Sequence, residues 1–157
     1  NVGSLTPVKD QATLLRAVTS IPQAHLRIAG EGPLRVELQR LAGELGIANR
    51  VEFLGEIDHG QMTAVYGAAD LFVQASRHEA QGVAALEAAA CGLPVVGTNV
   101  GILPEIGRAV PARDVASLAE VIRRTLSEGG ASAREKVEAD FSLARAMEKL
   151  FALYNGE

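Results

Sequence analysis

The sequence is poor in several residue types, and these shortages narrow the class of protein. It has one cysteine, Cys91, no tryptophan, four phenylalanines and two tyrosines among 157 residues. A single cysteine excludes an internal disulfide and a cysteine metal cluster, and it suits a reducing compartment. No apolar run approaches the roughly 20 residues that a membrane-spanning helix requires. We therefore expect a globular protein with a cytoplasmic location.

Basic charge is not in excess either. Fifteen lysines and arginines stand against nineteen aspartates and glutamates, which gives a net charge of −4. No basic stripe interleaved with aromatic residues is present, so a nucleic-acid polymer is not an expected partner. This charge balance is still compatible with a small phosphate-bearing ligand.

Short apolar runs alternate with helical spacing along the whole chain, and no Gly/Ser linker divides it. Strands are predicted at residues 1–5, 25–30, 50–55, 70–76 and 94–98, and helices at 9–20, 31–46, 58–66, 82–90, 114–127 and 133–153. This alternation is typical of right-handed crossovers between parallel strands. We predict one α/β domain over residues 1–157, with a Rossmann-like, doubly wound, mostly parallel sheet.

Glycine-bearing turns follow the predicted strands. They contain Gly3, Gly30, Gly32, Gly55, Gly82 and Gly97. In doubly wound sheets, ligands bind outside the carboxyl ends of the strands. These turns are therefore expected to lie on one rim of the sheet and to form a ligand site there.

Two glutamates flank the start of a predicted helix on this rim. Glu79 lies in the loop before the helix, and Glu87 lies inside it. The N–H groups of Gln81, Gly82 and Val83 are at the helix N-terminus, where free donors and the helix dipole favour a phosphate. Taken alone, either glutamate is most often a solvated surface residue. Together they fit a diphosphate with hydroxyl-bearing groups on both sides.

The segment "SRHEAQGVAALEAAACGLPVVGTNVG" resembles the signature of retaining glycosyltransferases of family four, which have the GT-B fold. That signature has a first Glu, a Gly-Phe-Gly, a second Glu eight positions after the first, as here, and then Ala-x-Ala-x-Gly-x-Pro-Val-Val. "VGSLTPVKD", "IAGEGPL", "VEFLGEI" and "AADLFVQAS" extend the resemblance over nearly the whole chain. It implies the C-terminal, nucleotide-sugar-binding half of a GT-B fold.

The resemblance also implies roles for individual residues. Glu87 would bind the ribose hydroxyls of the donor, and Glu79 would lie near the transferred sugar. Lys9 would contact the diphosphate as a point charge, although without the motif it reads as a solvated lysine. Glu79 and Lys9 are thus the expected catalytic pair.

Further binding contacts are expected from two other segments of the rim. Gly3 and Ser4 would lie beside the phosphates, with Ser4 where the family commonly has an arginine. Gly55 and Ile57 would frame the nucleobase, through backbone and side-chain contacts respectively.

Other departures from the family pattern keep alternative functions open. The Gly-Phe pair of the family is Ala80-Gln81 here, and the second glycine of its Val-Gly-Gly is Ile102. The main hypothesis is sugar transfer from a nucleoside diphosphate to an acceptor hydroxyl with retention of configuration. The alternatives are a non-catalytic nucleotide-sugar binding module and a sugar-nucleotide epimerase domain.

The resemblance further implies what accompanies this domain. It implies no cofactor and no obligatory metal; His25, His59 and His78 lack metal-ligand spacing relative to one another. The acceptor would bind to a separate N-terminal domain that these residues do not contain, and peripheral membrane contact through that domain is compatible with the family. Relative to the family, about six residues of a turn and strand are expected to be absent between Gly107 and Arg108.

Overall fold

In the computed structural model of the chain, which describes residues 1–142 and Arg145, short helices alternate with strands. The helices are α1 Gln11–Thr19, α2 Arg35–Glu44, α3 His59–Gly67, α4 Val83–Ala90, α5 Leu103–Ile106, α6 Val115–Glu128 and α7 Arg134–Asp140. The strands are β1 Leu26–Ala29, β2 Val51–Gly55, β3 Phe72–Gln74, β4 Val95–Thr98 and β5 Arg108–Val110, and a 3-10 turn lies at Ala48–Arg50. The predicted helix 133–153 begins as α7, and its later part lies outside the described residues.

The strands form two parallel groups, β1 with β2 and β3–β4–β5 in that order. The N-terminal segment lies between the groups, because Val2 bridges to Ala29 of β1 and Asn1 Nδ2 donates to Val73 O of β3 at 2.8 Å. The first predicted strand is therefore a single bridge. A cleft of about 780 Å³ lies beside this segment, between β1 and β3.

The core has two parts, one for each side of the sheet. The predicted apolar face of α1, formed by Leu14, Leu15 and Val18, is buried and packs with Leu118 and Ile122 of α6. A second cluster joins α3, β3, α4 and α5. Helices therefore cover both faces, as the doubly wound prediction requires.

Close backbone approaches bring the strand ends together on the rim. A Cβ atom at Gly30 would lie 2.1 Å from Gly3 O, and one at Gly97 would lie 1.9 Å from Gln74 O. Neither site can accommodate a side chain while the backbones stay where they are. These contacts set the positions of the loops that follow β1 and β4.

The region after β4 differs from the sequence prediction. Gly107 is extended and leads directly into β5, whose Arg108 pairs with Val96 of β4. The expectation that the strand residues are absent is therefore wrong, because Arg108–Val110 form that strand. The absence of turn residues before Arg108 stays a prediction about the natural polypeptide.

Candidate functional site

An ion pair joins the two residues that the sequence analysis expects to be catalytic. Lys9 Nζ donates to Glu79 Oε1 at 2.5 Å, and the two side chains are 25% and 12% exposed. Ser76 Oγ donates to the same carboxylate oxygen at 2.7 Å. The Lys9 stem lies against Gly3, where a Cβ would be 3.4 Å from Lys9 Cε. The ion pair with Glu79 therefore holds the Lys9 side chain beside the backbone at Gly3.

A second ion pair, between Arg77 and the buried carboxylate of Asp10, fastens the same two loops. Arg77 Nε and Nη2 donate to Asp10 Oδ2 and Oδ1 at 2.9 and 3.1 Å, and Arg77 N–H donates to Val8 O at 2.8 Å. Asp10 has the left-handed φ of 48°, which Asp tolerates better than most residues. A bidentate pair fixes orientation as well as distance. The loop after β3 and the turn before α1 are thus held as one unit.

The contact between Asp10 and Arg77 shifts the pKa values of both side chains. Burial opposes ionisation of the Asp10 carboxyl, but hydrogen bonds from Arg77 and Thr13 and the Arg77 charge outweigh it and lower the pKa of Asp10. The same hydrogen bond from the other side raises the pKa of Arg77. Both groups therefore stay charged across the ordinary pH range.

The loop from Glu79 to Gly82 rests on a turn after β4. A Cβ at Gly101 would lie 2.9 Å from both Glu79 Cβ and Gln81 O, and Ile102 N–H donates to Gln81 O at 2.9 Å. Gly101 has a left-handed φ of 56°. This tight contact fixes both Glu79 and the backbone that leads into α4.

The N-terminus of α4 lies at the end of this loop. Gly82, at φ 84°, is the N-cap residue, and no side chain caps the helix. The N–H of Val83 is one of the first helical donors, which have no carbonyl one turn earlier to bond. The side chains of Gln81 and Val83 are exposed. An anion can therefore approach uncapped donors at the positive end of the helix dipole.

Glu87 lies about one turn after Val83 on α4 and has a different partner. Tyr66 of α3 donates its hydroxyl to Glu87 Oε2 at 2.9 Å and also contacts Ala84 O at 3.3 Å. Burial of the phenol, and then its contact with the Glu87 carboxylate, raise the pKa of Tyr66. The hydroxyl consequently remains a protonated donor. Sequence reasoning missed Tyr66; its one available signal is that a buried tyrosine needs an acceptor.

The remaining predicted residues also lie at the strand ends. Gly55 ends β2 with φ 75°, and its carbonyl accepts from Gly30 N–H at 2.7 Å. Ile57 packs partly buried against the cluster that contains Tyr66. Ser4 is exposed, its hydroxyl lies 3.4 Å from Thr6 Oγ1, and its carbonyl accepts from Gln11 Nε2.

Comparison with known proteins identifies the family. The model of the family described as glycosyl transferases group 1 matches residues 1–140. The chain belongs to the glycosyl transferases group 1 family. The D-inositol 3-phosphate glycosyltransferase of Mycolicibacterium smegmatis is 39% identical over 169 aligned positions, which cover 98% of this chain and 39% of that protein. The chain thus spans less than half the length of this relative.

Solved structures of similar fold support the predicted architecture. Anabaena HepE in complex with UDP superposes with a TM-score of 0.88 at 24% identity, over 99% of this chain and 48% of that one. Sucrose-phosphate synthase from Thermosynechococcus elongatus gives a TM-score of 0.85 at 32% identity, over 99% and 44%. The predicted Rossmann-like α/β fold of GT-B glycosyltransferases is confirmed.

Within this group 1 glycosyl transferase domain, the predicted residues fall into two sets. Lys9, Glu79 and Gly3 are in contact, and Gly101 ties Glu79 to Gln81 at the start of α4. Glu87 is instead linked to α3 through Tyr66. The ligand-binding roles of all these residues stay predictions. The large cleft between β1 and β3 includes none of Lys9, Glu79 and Glu87 in its lining.

Along residues 1–142 and Arg145, no group of three or more His, Cys, Asp or Glu side chains could hold a metal ion. In the same part of the chain, every helix is too short or too polar to cross a membrane.

Proposed function

We propose that this chain is the donor-binding domain of a glycosyltransferase that moves a sugar from a nucleoside diphosphate to an acceptor hydroxyl with retention of configuration. The observation that carries the proposal is the position of the Lys9–Glu79 pair: Glu79 belongs to the loop that leads into α4, and the N-terminus of α4 has no side-chain cap. A cation, a carboxylate and free N–H donors then meet at one rim of the sheet. Membership of the glycosyl transferases group 1 family supports it.

Each part of the rim has a role in this proposal. The N–H groups at Gly82 and Val83 and the Lys9 ammonium stabilise the negative charge that develops on the leaving diphosphate. Gly3 and Ser4 line the phosphates, Gly55 and Ile57 face the nucleobase, and Glu79 meets the sugar hydroxyls. Glu87 accepts hydrogen bonds from the ribose.

The structure of the donor site also shapes the proposed chemistry. Lys9 is engaged by Glu79 in the structure. A bound donor offers Lys9 a diphosphate and offers Glu79 sugar hydroxyls, so both partners of the ion pair gain a ligand contact when they separate. The exchange places charge stabilisation at the bond between the sugar and the diphosphate, which breaks as the diphosphate leaves with the bonding electrons.

The activity is proposed for the whole protein, of which this chain supplies the donor side. The acceptor would bind to a second domain across a cleft, because transfer requires donor and acceptor to be held together away from water. We propose a cytoplasmic location and turnover without an obligatory metal. Activity that survives treatment with EDTA would support metal independence, whereas activity that returns only with a divalent cation would oppose it.

Two measurements test the function. Calorimetric titration of this chain with UDP, GDP and ADP is expected to show binding of at least one of them, with no sugar transfer by the isolated chain. Robust transfer by the isolated chain would contradict the role as a donor-binding half. NMR of the product made by the full-length protein should show the donor's anomeric configuration.

The same assays separate the alternatives. A full-length protein that binds nucleotide sugars without turnover would be a binding module. A nucleotide sugar released with altered configuration at a ring carbon would indicate an epimerase.

A further inference from the structure

We propose that Tyr66 is a positioning residue for Glu87: it fixes one carboxylate oxygen so that the remaining lone pairs face the ribose, which makes the site selective for ribonucleotides. The inference rests on the proposed function, in which Glu87 binds the ribose. Its experiment is chosen so that the two proposals fail in different ways.

The first step is the hydrogen bond itself. Tyr66 is 3% exposed, and its hydroxyl has two acceptors within reach, Glu87 Oε2 at 2.9 Å and Ala84 O at 3.3 Å. A buried hydroxyl that lacks an acceptor is costly. The carboxylate is the shorter and stronger acceptor, because hydrogen bonds to a charged group exceed those to a neutral carbonyl. The phenol is therefore committed to Glu87.

The second step is that the phenol cannot move away. The ring of Tyr66 packs edge-to-face on Phe72 of β3, with centroids 6.1 Å apart and planes at 63°. Met62, Ala85 and Ala88 belong to the same buried cluster. The hydroxyl is thus anchored to α3 and β3 while Glu87 belongs to α4. A glutamate with free rotamers would lose that freedom on binding a ligand; here much of it is lost in advance.

The third step concerns what remains available on the carboxylate. A phenolic hydroxyl donates one hydrogen bond, so it occupies one lone pair of Oε2 and leaves the others, including both on Oε1. Tyr66 is a neutral donor, and its raised pKa keeps it so. Tyr66 therefore donates to the Glu87 carboxylate without bringing a positive charge to it. A charged, pre-oriented acceptor suits a pair of adjacent hydroxyls, which are both donors and are found on ribose.

The experiment compares Tyr66→Phe with the unaltered chain on two ligands. The first ligand is whichever of UDP, GDP and ADP binds best, and the second is its 2′,3′-dideoxy analogue. Phenylalanine fills the same apolar space, so the fold is retained. Met62→Leu is the matched control, since Met62 lies on the same helix and in the same cluster and its thioether cannot donate a hydrogen bond. Glu87→Ala and the double variant complete the set.

The expected result is a roughly tenfold loss of affinity of Tyr66→Phe for the ribonucleotide, the size of one hydrogen bond to a charged group. Its affinity for the dideoxy analogue should be unchanged. Met62→Leu should bind both ligands as tightly as the unaltered chain. In the double variant, Tyr66→Phe should cost nothing beyond Glu87→Ala, because the two residues act as a unit. The comparison of two ligands on one protein removes any effect of stability.

Two results would overturn the inference while leaving the ribose role of Glu87 in place. One is an equal loss for both ligands, which would make Tyr66 merely structural. The other is no loss in Tyr66→Phe although Glu87→Ala weakens binding. If Glu87→Ala itself binds the ribonucleotide normally, the ribose role of Glu87 fails and the positioning role fails with it.

Discussion

The two glutamates of the rim are held by opposite kinds of partner. Glu79, in a loop, is neutralised by the Lys9 ammonium and also accepts from Ser76. Glu87, on α4, accepts from the neutral Tyr66 hydroxyl, which brings no positive charge to it. An ion pair can be exchanged for a ligand contact, whereas a neutral donor supports a carboxylate that must stay in place. This difference fits the proposed roles, in which Glu79 meets the transferred sugar and Glu87 recognises the ribose.

The largest effect should come from the loop side of this comparison. Lys9→Ala in the full-length protein is expected to lower the rate of sugar transfer by about 10²–10³-fold, the usual cost of removing one group that stabilises developing charge. Lys136→Ala is the control, because Lys136 pairs with Asp140 on an exposed helix face. Steady-state kinetics measure both variants. Equal rates in the two would remove Lys9 from the chemistry.

On the helix side, Glu87→Ala should weaken binding of the nucleoside diphosphate by roughly 1.5–3 kcal/mol, since a carboxylate that accepts from the ribose makes charged hydrogen bonds. Calorimetry with this chain measures the change. Glu120→Ala, on the exposed side of α6, is the control. Unchanged affinity in Glu87→Ala would contradict its assignment to the ribose.

Glu79→Ala tests whether the two carboxylates meet different parts of the ligand. It should weaken a nucleotide sugar more than the bare nucleoside diphosphate, by about tenfold, because only the former brings sugar hydroxyls to Glu79. Loss of Glu79 also frees Lys9 for the diphosphate, so binding of the bare nucleotide should be maintained or improved. A larger loss for the bare nucleotide would reverse the assignment.

The smallest effect concerns the ion pair between Asp10 and Arg77, which fastens the loop that carries Glu79. Asp10→Asn should lower the melting temperature by a few degrees at neutral pH. The folded-state pKa of Asp10 is lowered, so its ionised form contributes stability above the ordinary Asp pKa of about 4, and this is lost as pH falls through the folded value. Calorimetric melts between neutral and acidic pH should therefore converge for the two proteins. A difference that persists at the acidic end would point to a cause other than the charge.

The sequence predicted those parts of the fold that have a local signal. Leu14, Leu15 and Val18 show the period of a buried helix face, and α1 is where they place it. β5 has three residues and little buried surface, so no apolar run in the sequence predicts it. The four-residue α5 contains Pro104 and likewise has no periodicity to read.

The site divides in the same way. The motif predicted that Glu79 and Glu87 lie on either side of a helix start. This prediction needs only residues that are close together in the sequence. The partners Lys9 and Tyr66 lie 70 and 21 positions from their carboxylates. The resemblance placed Lys9 near the phosphates, but only the packing of separate elements shows that it is paired with Glu79. The role of Tyr66 as a donor to Glu87 is recognised only from the packing of α3 against α4.

The Lys9–Glu79 ion pair has a consequence for the rates of donor exchange. Before a donor arrives, the ammonium faces a carboxylate, and the chain as a whole carries a net charge of −4. An approaching diphosphate therefore meets no exposed excess of positive charge from this pair, and long-range steering needs such an excess. We expect association to be no faster than that of a neutral pair and to depend little on ionic strength. In the proposed function, Lys9 contacts the phosphates only after it has turned from Glu79, so we expect its charge to govern how long a donor stays and not how quickly it arrives.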